Sequence, residues 1–182
     1  MLQRTLSEGC TSDVSWNIIN CKNISLAIST MDYTKEFNIN DSLSYLLDKT
    51  ARAQLCRLQN IFTKANYDIT VEQWMILLLL WKENGQFQQQ LADGMCKDKT
   101  TLTRQIDGLE KRNIIVRVPD KIDRRQKRIY LTNKGKELEQ ELIPLGIANG
   151  LCAMKDISLE HLQICKDVLR KVHENLTNGK LL

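Results

Sequence analysis

The stretch that decides the fold is residues 98–135, which read DKTTLTRQIDGLEKRNIIVRVPDKIDRRQKRIYLTNKG. The apolar residues of its first third recur at helical spacing, at Leu102, Ile106 and Leu109. Since Asp98 is suited to cap a helix start, the pattern predicts a helix from just after Asp98 to about Arg112. The apolar side of this helix would face a core, which leaves the polar side free for a partner.

A β-hairpin is predicted directly after this helix. Two short β-rich runs, residues 116–118 and 127–131, are separated by Pro119, Asp120 and a charged turn. Thr132 then has the position and chemistry of a cap for a following helix.

A short helix is predicted upstream over residues 88–93, with a stop near Gly94. This helix, a tight turn and the helix after Asp98 form a helix-turn-helix at about residues 88–112, and the hairpin adds a wing at about 116–131. The expected fold is therefore mainly α, a winged helix-turn-helix DNA-binding core with a two-stranded β wing. N- and C-terminal dimerisation helices are expected to flank it.

The helices before the wing are read from periodicity and caps. Apolar residues at three- and four-residue intervals predict a long helix from Asp41 to about Ala65. Thr70 and Gln73 form a capping-box signature ahead of a buried second helix. Residues 1–40 show no sustained period and are interpreted as a poorly ordered extension.

Two more helices are predicted after the wing, with a kink or break at Pro144 and Gly146. The last helix begins behind Ser158 and carries an apolar seam made of Leu162, Cys165, Leu169, Val172 and Leu176. An internal core could cover this seam. Dimerisation is favoured, because a helix that follows a complete winged domain needs an apolar partner. The dimerisation helices are placed at about residues 42–65 and 133–177.

The positive charge of the chain is concentrated in one segment. Residues 97–136 hold 13 Lys or Arg and 5 Asp or Glu, which gives a net charge of +8. Since the whole chain has a net charge of +4, the other 142 residues have a net charge of −4. A basic stripe on an otherwise acidic chain is typical of a phosphate-binding surface. The longest apolar run, seven residues from Met75 to Trp81, is too short to cross a membrane. With no secretory signal pattern either, we expect a cytoplasmic protein without a membrane partner.

The candidate DNA contacts lie on the second helix of the helix-turn-helix and on the wing. Polar residues near the helix start would face base edges in the major groove, and cations on the wing would reach phosphates or a narrow minor groove. Asp123 is expected to hold a neighbouring arginine by a charge-assisted hydrogen bond. The full set is Lys99, Thr100, Thr103, Arg104, Lys121, Asp123, Arg124, Arg125 and Lys127, with Arg128 also near the hairpin tip.

These motifs resemble those of the MarR (multiple antibiotic resistance regulator) family of winged helix-turn-helix transcriptional regulators. The resemblance is strongest at the wing, where Asp123-Arg124-Arg125, Leu131-Thr132 and Gly135 follow the order and spacing of the family signature. It covers about residues 41–178. It implies a homodimer built from the first helix and the last two, which reads a palindromic operator on double-stranded DNA. It also implies a small-molecule effector or a redox-sensing cysteine.

Other functions remain as alternatives at this point. Cys96 lies close to Lys97 and Lys99 and could be a redox sensor, although an ordinary turn cysteine is the more common case. Tyr45 and Trp74 could line an effector crevice or belong to a core. A winged helix that binds a protein instead of DNA is a third possibility.

No Gly-rich phosphate loop, nucleophile motif or CxxC pair is found, so neither an enzyme nor a cofactor is expected. His161 and Cys165 have the i, i+4 spacing of metal ligands, but a solvent-facing histidine next to a core cysteine is the more common case.

Overall fold

The computed structural model describes residues 38–95 and 98–177 of the chain. The predicted extension over residues 1–40 therefore lies almost entirely outside the described residues. The chain divides between Asp48 and Lys49 into two units. In the first unit, a short 3-10 helix, Ile39–Asp41, precedes the start of helix α1, Leu43–Lys64.

The second unit, from Lys49 onward, holds the rest of α1 and a winged helix-turn-helix. Its further elements, in chain order, are α2 (Val71–Lys82), β1 (Gln86–Phe87), α3 (Gln88–Met95), α4 (Lys99–Lys111), β2 (Ile115–Pro119), β3 (Lys127–Leu131), α5 (Asn133–Ala153) and α6 (Leu159–Thr177). The mainly helical fold with a winged core is the fold that the sequence predicts. None of the described helices combines the length and apolarity that a bilayer crossing requires.

The wing belongs to a sheet of three antiparallel strands in the order β1-β3-β2. In the hairpin, Ile115 pairs with Leu131 and Pro119 with Lys127. Strand β1, which pairs Gln86 with Ile129, was not predicted. Two residues are too few to show the alternation by which a strand is recognised in a sequence.

The buried apolar side chains form one core, to which the five helices from α1 through α5 and the sheet all contribute. Its fully buried members are Phe62, Ile76, Leu77, Leu80, Leu91, Leu102, Ile106, Leu109, Ile115, Ile129 and Leu142. Every one of these side chains belongs to the second unit, so the winged part of the chain has its own hydrophobic core.

The helix starts predicted at Thr70 and Thr132 are confirmed by their caps, whereas Asp41 lies in the 3-10 helix and α1 begins at Leu43. The Gln73 N–H donates to the Thr70 hydroxyl at 3.2 Å, and the Thr70 N–H donates to the Gln73 side chain at 3.2 Å, which completes the capping box. The Thr132 hydroxyl accepts from the Gly135 N–H at 3.1 Å at the start of α5. Each cap satisfies N–H groups that have no partner within the helix.

The stop predicted near Gly94 agrees with helix α3, whose described residues end at Met95. Among the described glycines only Gly85 has a positive φ, so Gly94 does not form a left-handed cap. The break predicted at Pro144 and Gly146 is wrong. Helix α5 runs through Pro144 without a break. Gly146 has a packing role instead, because a Cβ there would lie 2.8 Å from the Trp74 ring.

The start of α5 packs directly against the loop between α4 and β2, with almost no space between the two backbones. A Cβ on Gly135 would lie 2.2 Å from the Ile114 carbonyl oxygen. That oxygen accepts from the Thr132 N–H at 3.0 Å, and the Gly135 carbonyl accepts from the Trp81 indole N–H at 2.9 Å. Gly135 thus joins α2, α5 and the chain that enters β2.

Helix α6 contains no buried residue. In its predicted seam, Leu162 and Val172 are half-buried, while Leu169 is 37% and Leu176 is 68% exposed. An amphipathic helix of 19 residues gains most of its stability by covering its apolar face, and the described chain leaves this face uncovered.

Candidate nucleic-acid interface

Helix α4 presents a polar face because its apolar face is fully used by the core. Leu102, Ile106 and Leu109 are at most 1% exposed. At the N-terminus, the Asp98 carboxylate accepts from the Thr101 backbone N–H at 2.8 Å and from the Thr101 hydroxyl at 2.8 Å. These bonds, the backbone bond foremost, hold the pKa of Asp98 below its ordinary value. A charged cap therefore fixes the first turn of the helix.

The residues predicted to contact bases occupy this first turn and the next. Lys99, Thr100 and Arg104 are exposed, and Thr103 is half-buried. The Thr103 hydroxyl donates to the Lys99 carbonyl at 2.7 Å and accepts from the Gln88 side chain. Because both bonds engage the hydroxyl, the methyl group of Thr103 is the part that remains for a base contact.

The wing turn is organised by Asp120, which is only 9% exposed. Its carboxylate accepts from the N–H groups of Ile122 and Asp123 at 2.9 and 3.1 Å and from Arg128 Nε at 2.6 Å. The Arg128 hydrogen bond is the main reason that the pKa of Asp120 falls from 3.8 to about 2. Because the folded pKa is the lower one, this stabilisation is present above about pH 4 and is lost as the pH falls through about 2.

Arg128 points into the protein and not out from the hairpin tip. Besides its bond to Asp120, it donates to the Gly85 carbonyl at 3.1 Å and lies 4.0 Å from the centre of the Phe87 ring. Arg128 is therefore a positioning residue that fastens β3 to β1. The sequence placed it among the exposed cations, since strand alternation alone does not reveal an arginine that turns back onto an aromatic ring.

The role expected for Asp123 is wrong in its detail. Its carboxylate accepts from the backbone N–H of Arg125 at 3.0 Å and from the Gln126 side chain at 3.1 Å, and not from an arginine side chain. The carboxylate that pairs with an arginine of the wing is Asp120. The Asp123 carboxylate therefore stabilises the turn, and it does not bind the guanidinium of Arg125.

The basic segment divides into inward and outward cations. Arg117 is 14% exposed and pairs with Glu110 and Asp107, and Arg112 pairs with Asp68 at 3.1 Å. Apart from Arg128, the remaining cations of the recognition helix and wing are exposed and have no salt bridge within the described part of the chain: Lys99, Arg104, Lys111, Lys121, Arg124, Arg125 and Lys127. This outward set is the part of the +8 segment that is available to phosphate.

A groove of about 470 Å³ brings the two predicted contact regions together. It is lined by Lys99 of α4, by three residues of the wing, and by three residues at the junction of β1 with α3: Arg125, Gln126 and Lys127, and Phe87, Gln88 and Gln89. Sequence reasoning missed the three glutamines, because no charge or motif marks them. The recognition helix and the wing thus form one continuous polar and cationic surface.

The other predicted site residues lie elsewhere. Trp74 is 6% exposed, and its ring centre lies 5.5 Å from those of Phe62 and Trp81, so it is a core residue. Tyr45 is half-buried on α1 in the unit that ends at Asp48. Cys96 lies outside the described residues. Within residues 38–95 and 98–177, no group of three His, Cys, Asp or Glu is placed to hold a metal ion.

The comparisons with known proteins agree with this geometry. Residues 69–127 match the sequence model of the MarR family. The HTH-type transcriptional regulator FarR of Neisseria gonorrhoeae is 33% identical over 102 residues, which are 56% of this chain and 68% of FarR.

The chain belongs to the MarR family.

Further MarR-type regulators align with the same part of the chain. The HTH-type transcriptional regulator TtmR of Methylorubrum extorquens is 30% identical over 112 residues, which are 62% of this chain but only 56% of TtmR. The crystal structure of a putative MarR family transcriptional regulator from Listeria monocytogenes, complexed with 26mer DNA, has a TM-score of 0.69 and 25% identity. That match covers 76% of this chain and 91% of the Listeria chain. The protein is thus a transcriptional regulator of the MarR family and not an enzyme.

Proposed function

We propose that this protein acts in the cytoplasm as a homodimer that binds a palindromic operator and represses transcription in response to a small molecule. The observation that carries the DNA-binding part is the shared groove of α4 and the wing, with Lys99 on one side and Arg125 and Lys127 on the other. A recognition helix fits the major groove, and a wing beside it reaches the adjacent backbone or minor groove.

Binding-site selection from random duplexes is the direct experiment. A palindromic sequence with half-sites about one helical turn apart is the expected product, since a two-fold dimer presents two recognition helices on one face of the duplex. Selection of no sequence, with no salt-dependent shift of a palindromic duplex, would favour the alternative of a protein-interaction module.

Changing Arg125 to Ala is expected to weaken operator binding and to make its salt dependence shallower, because one phosphate contact per wing is lost. Changing Arg104 to Ala should instead alter which base pairs are preferred. Fluorescence anisotropy over a series of salt concentrations, on the selected duplex and on variants of it, separates the two effects. Identical losses for both variants on every sequence would contradict this division of roles.

The dimer part of the proposal is supported by the apolar face of α6, which the described chain leaves uncovered. Further exposed apolar side chains in the same unit are Leu55 on α1 and Ile147 and Leu151 on α5. Helices of two identical chains can cover such faces reciprocally around a two-fold axis.

The effector part is supported by a single buried polar atom. Asn149 is 2% exposed, and its amide nitrogen donates to the Gln54 carbonyl at 3.2 Å, while its Oδ1 is buried without a hydrogen-bond partner among the described residues. A buried acceptor of this kind favours a ligand or water with a donor group. Salicylate, a small aromatic acid with a phenolic donor, is the probe: release of the selected duplex is expected, and release that is unchanged in Asn149→Leu would contradict a role for this residue.

A further inference from the structure

Ile122 is the most exposed large apolar side chain in the described part of the chain, at 96%. It stands at the turn of the wing between Lys121 and Asp123, and the DNA contacts proposed above do not include it. Single exposed apolar residues are common on proteins, so exposure alone carries no function. The surroundings of Ile122 are what make it informative.

The backbone that carries Ile122 is held on both sides. The Ile122 N–H donates to the buried Asp120 carboxylate, which Arg128 fixes in turn. The next turn is closed by a bond from the Gln126 N–H to the Asp123 carbonyl at 2.9 Å. An isoleucine side chain has few rotamers because it branches at Cβ. The wing therefore presents a stiff aliphatic group in a fixed place and loses little conformational entropy when that group is bound.

Three cations lie within three residues of this isoleucine in the same turn, while the two carboxylates of the turn, Asp120 and Asp123, are bonded to groups of the turn itself. Lys121, Arg124 and Arg125 are exposed, and the contacts of the described residues give none of them a salt bridge. A surface that accepts three cations together with one aliphatic group must be polyanionic and must also have apolar walls. The minor groove of DNA combines phosphates at its rim with deoxyribose walls, and minor-groove proteins insert aliphatic side chains such as isoleucine.

We propose that Ile122 enters the minor groove next to the recognition helix and packs against its deoxyribose walls, as a specificity-determining contact of the wing. This inference rests on the proposed DNA binding. The neighbouring cations supply attraction that is independent of sequence, whereas the fit of Ile122 depends on the width and deformability of the base steps beneath it. Ile122 thus makes the affinity depend on operator positions that the recognition helix does not touch.

The test compares Ile122→Ser with Val116→Ser, in the full chain and on the duplex obtained by site selection. Val116 is a matched control, since it is an aliphatic residue of the same hairpin and is 42% exposed. Ile122→Ser is expected to raise the Kd about tenfold, the scale of burying one aliphatic side chain. The salt slope should not change, because no charge is removed. Val116→Ser is expected to leave the Kd within about twofold.

Hydroxyl-radical footprinting gives an independent readout, because the radical attacks deoxyribose from the minor groove. Protection beneath the wing is expected with the parent protein and with Val116→Ser, and it should be lost with Ile122→Ser. An unchanged Kd and footprint for Ile122→Ser, or equal losses for both serine variants, would overturn this inference while leaving DNA binding intact. Failure of the parent protein to bind any duplex would instead overturn the proposed function.

Discussion

Changing both Leu169 and Val172 to glutamate is expected to convert the protein from a dimer into a monomer that no longer holds a full palindrome. Both side chains belong to the seam of α6, a helix without any buried residue in the described chain. In the dimer they would lie in an apolar interface, where an unpaired carboxylate costs several kcal/mol. Sedimentation velocity measures the change in mass, and anisotropy on whole and half operators measures the loss of two-site binding.

The control for this double variant adds two negative charges at exposed polar positions of α6, with Gln163→Glu, which also removes the exposed hydrogen bond from Gln163 to Asp167, and Thr177→Glu. This variant is expected to remain a dimer with nearly parental operator affinity, because exposed charges contribute little to stability. If the seam variant also stays dimeric with unchanged affinity, the seam does not form the dimer interface.

Changing Gly135 to Ala is expected to destabilise the protein by about 3 kcal/mol, the upper range for forcing an atom into a packed site. The added Cβ would lie 2.2 Å from the Ile114 carbonyl oxygen, which is backbone and cannot rotate away. Moving that carbonyl would break its hydrogen bond from the Thr132 N–H and disturb the cap of α5. Chemical unfolding at a fixed protein concentration measures the loss, since the stability of a dimer depends on concentration.

Gly150→Ala is the matched control in the same helix. A Cβ at Gly150 would meet only the Met154 side chain, at 3.9 Å. Because alanine favours a helix over glycine, this variant is expected to gain about 0.5 to 1 kcal/mol. Equal effects of the two substitutions would show that helix propensity, and not the contact with Ile114, governs Gly135.

The parts of the fold that were predictable are those with a local cause. Helices α2, α4 and α5 begin where Thr70, Asp98 and Thr132 supply side-chain acceptors, and such caps act within a few residues of sequence. The break that was wrongly predicted in α5 has a non-local cause. Gly146 lies against the Trp74 ring of α2, and the sequence around position 146 does not show that contact.

The location of the candidate site could be predicted from the sequence, but the ion pairs within it could not. Charge counting located the basic segment, but a count does not distinguish Arg125, which faces outward, from Arg117, which is held by Glu110 and Asp107. Those partners are fixed by how α4 packs on β2. The same holds for the choice of Asp120 over Asp123 as the partner of Arg128, because the register of β2 on β3 had to be known before either distance was defined.

The attachment of Arg128 to Asp120, the Gly85 carbonyl and the Phe87 ring has a consequence for how a signal could release the protein from DNA. It ties the outer hairpin to the strand that leads directly into α3, so these contacts oppose a movement of the hairpin away from the helix-turn-helix. A signal that lifted the hairpin would have to break them. In the homodimer proposed above, a signal that leaves these contacts intact would act by changing the separation or tilt of the two winged parts, and the spacing of the operator half-sites would then decide whether the protein stays bound.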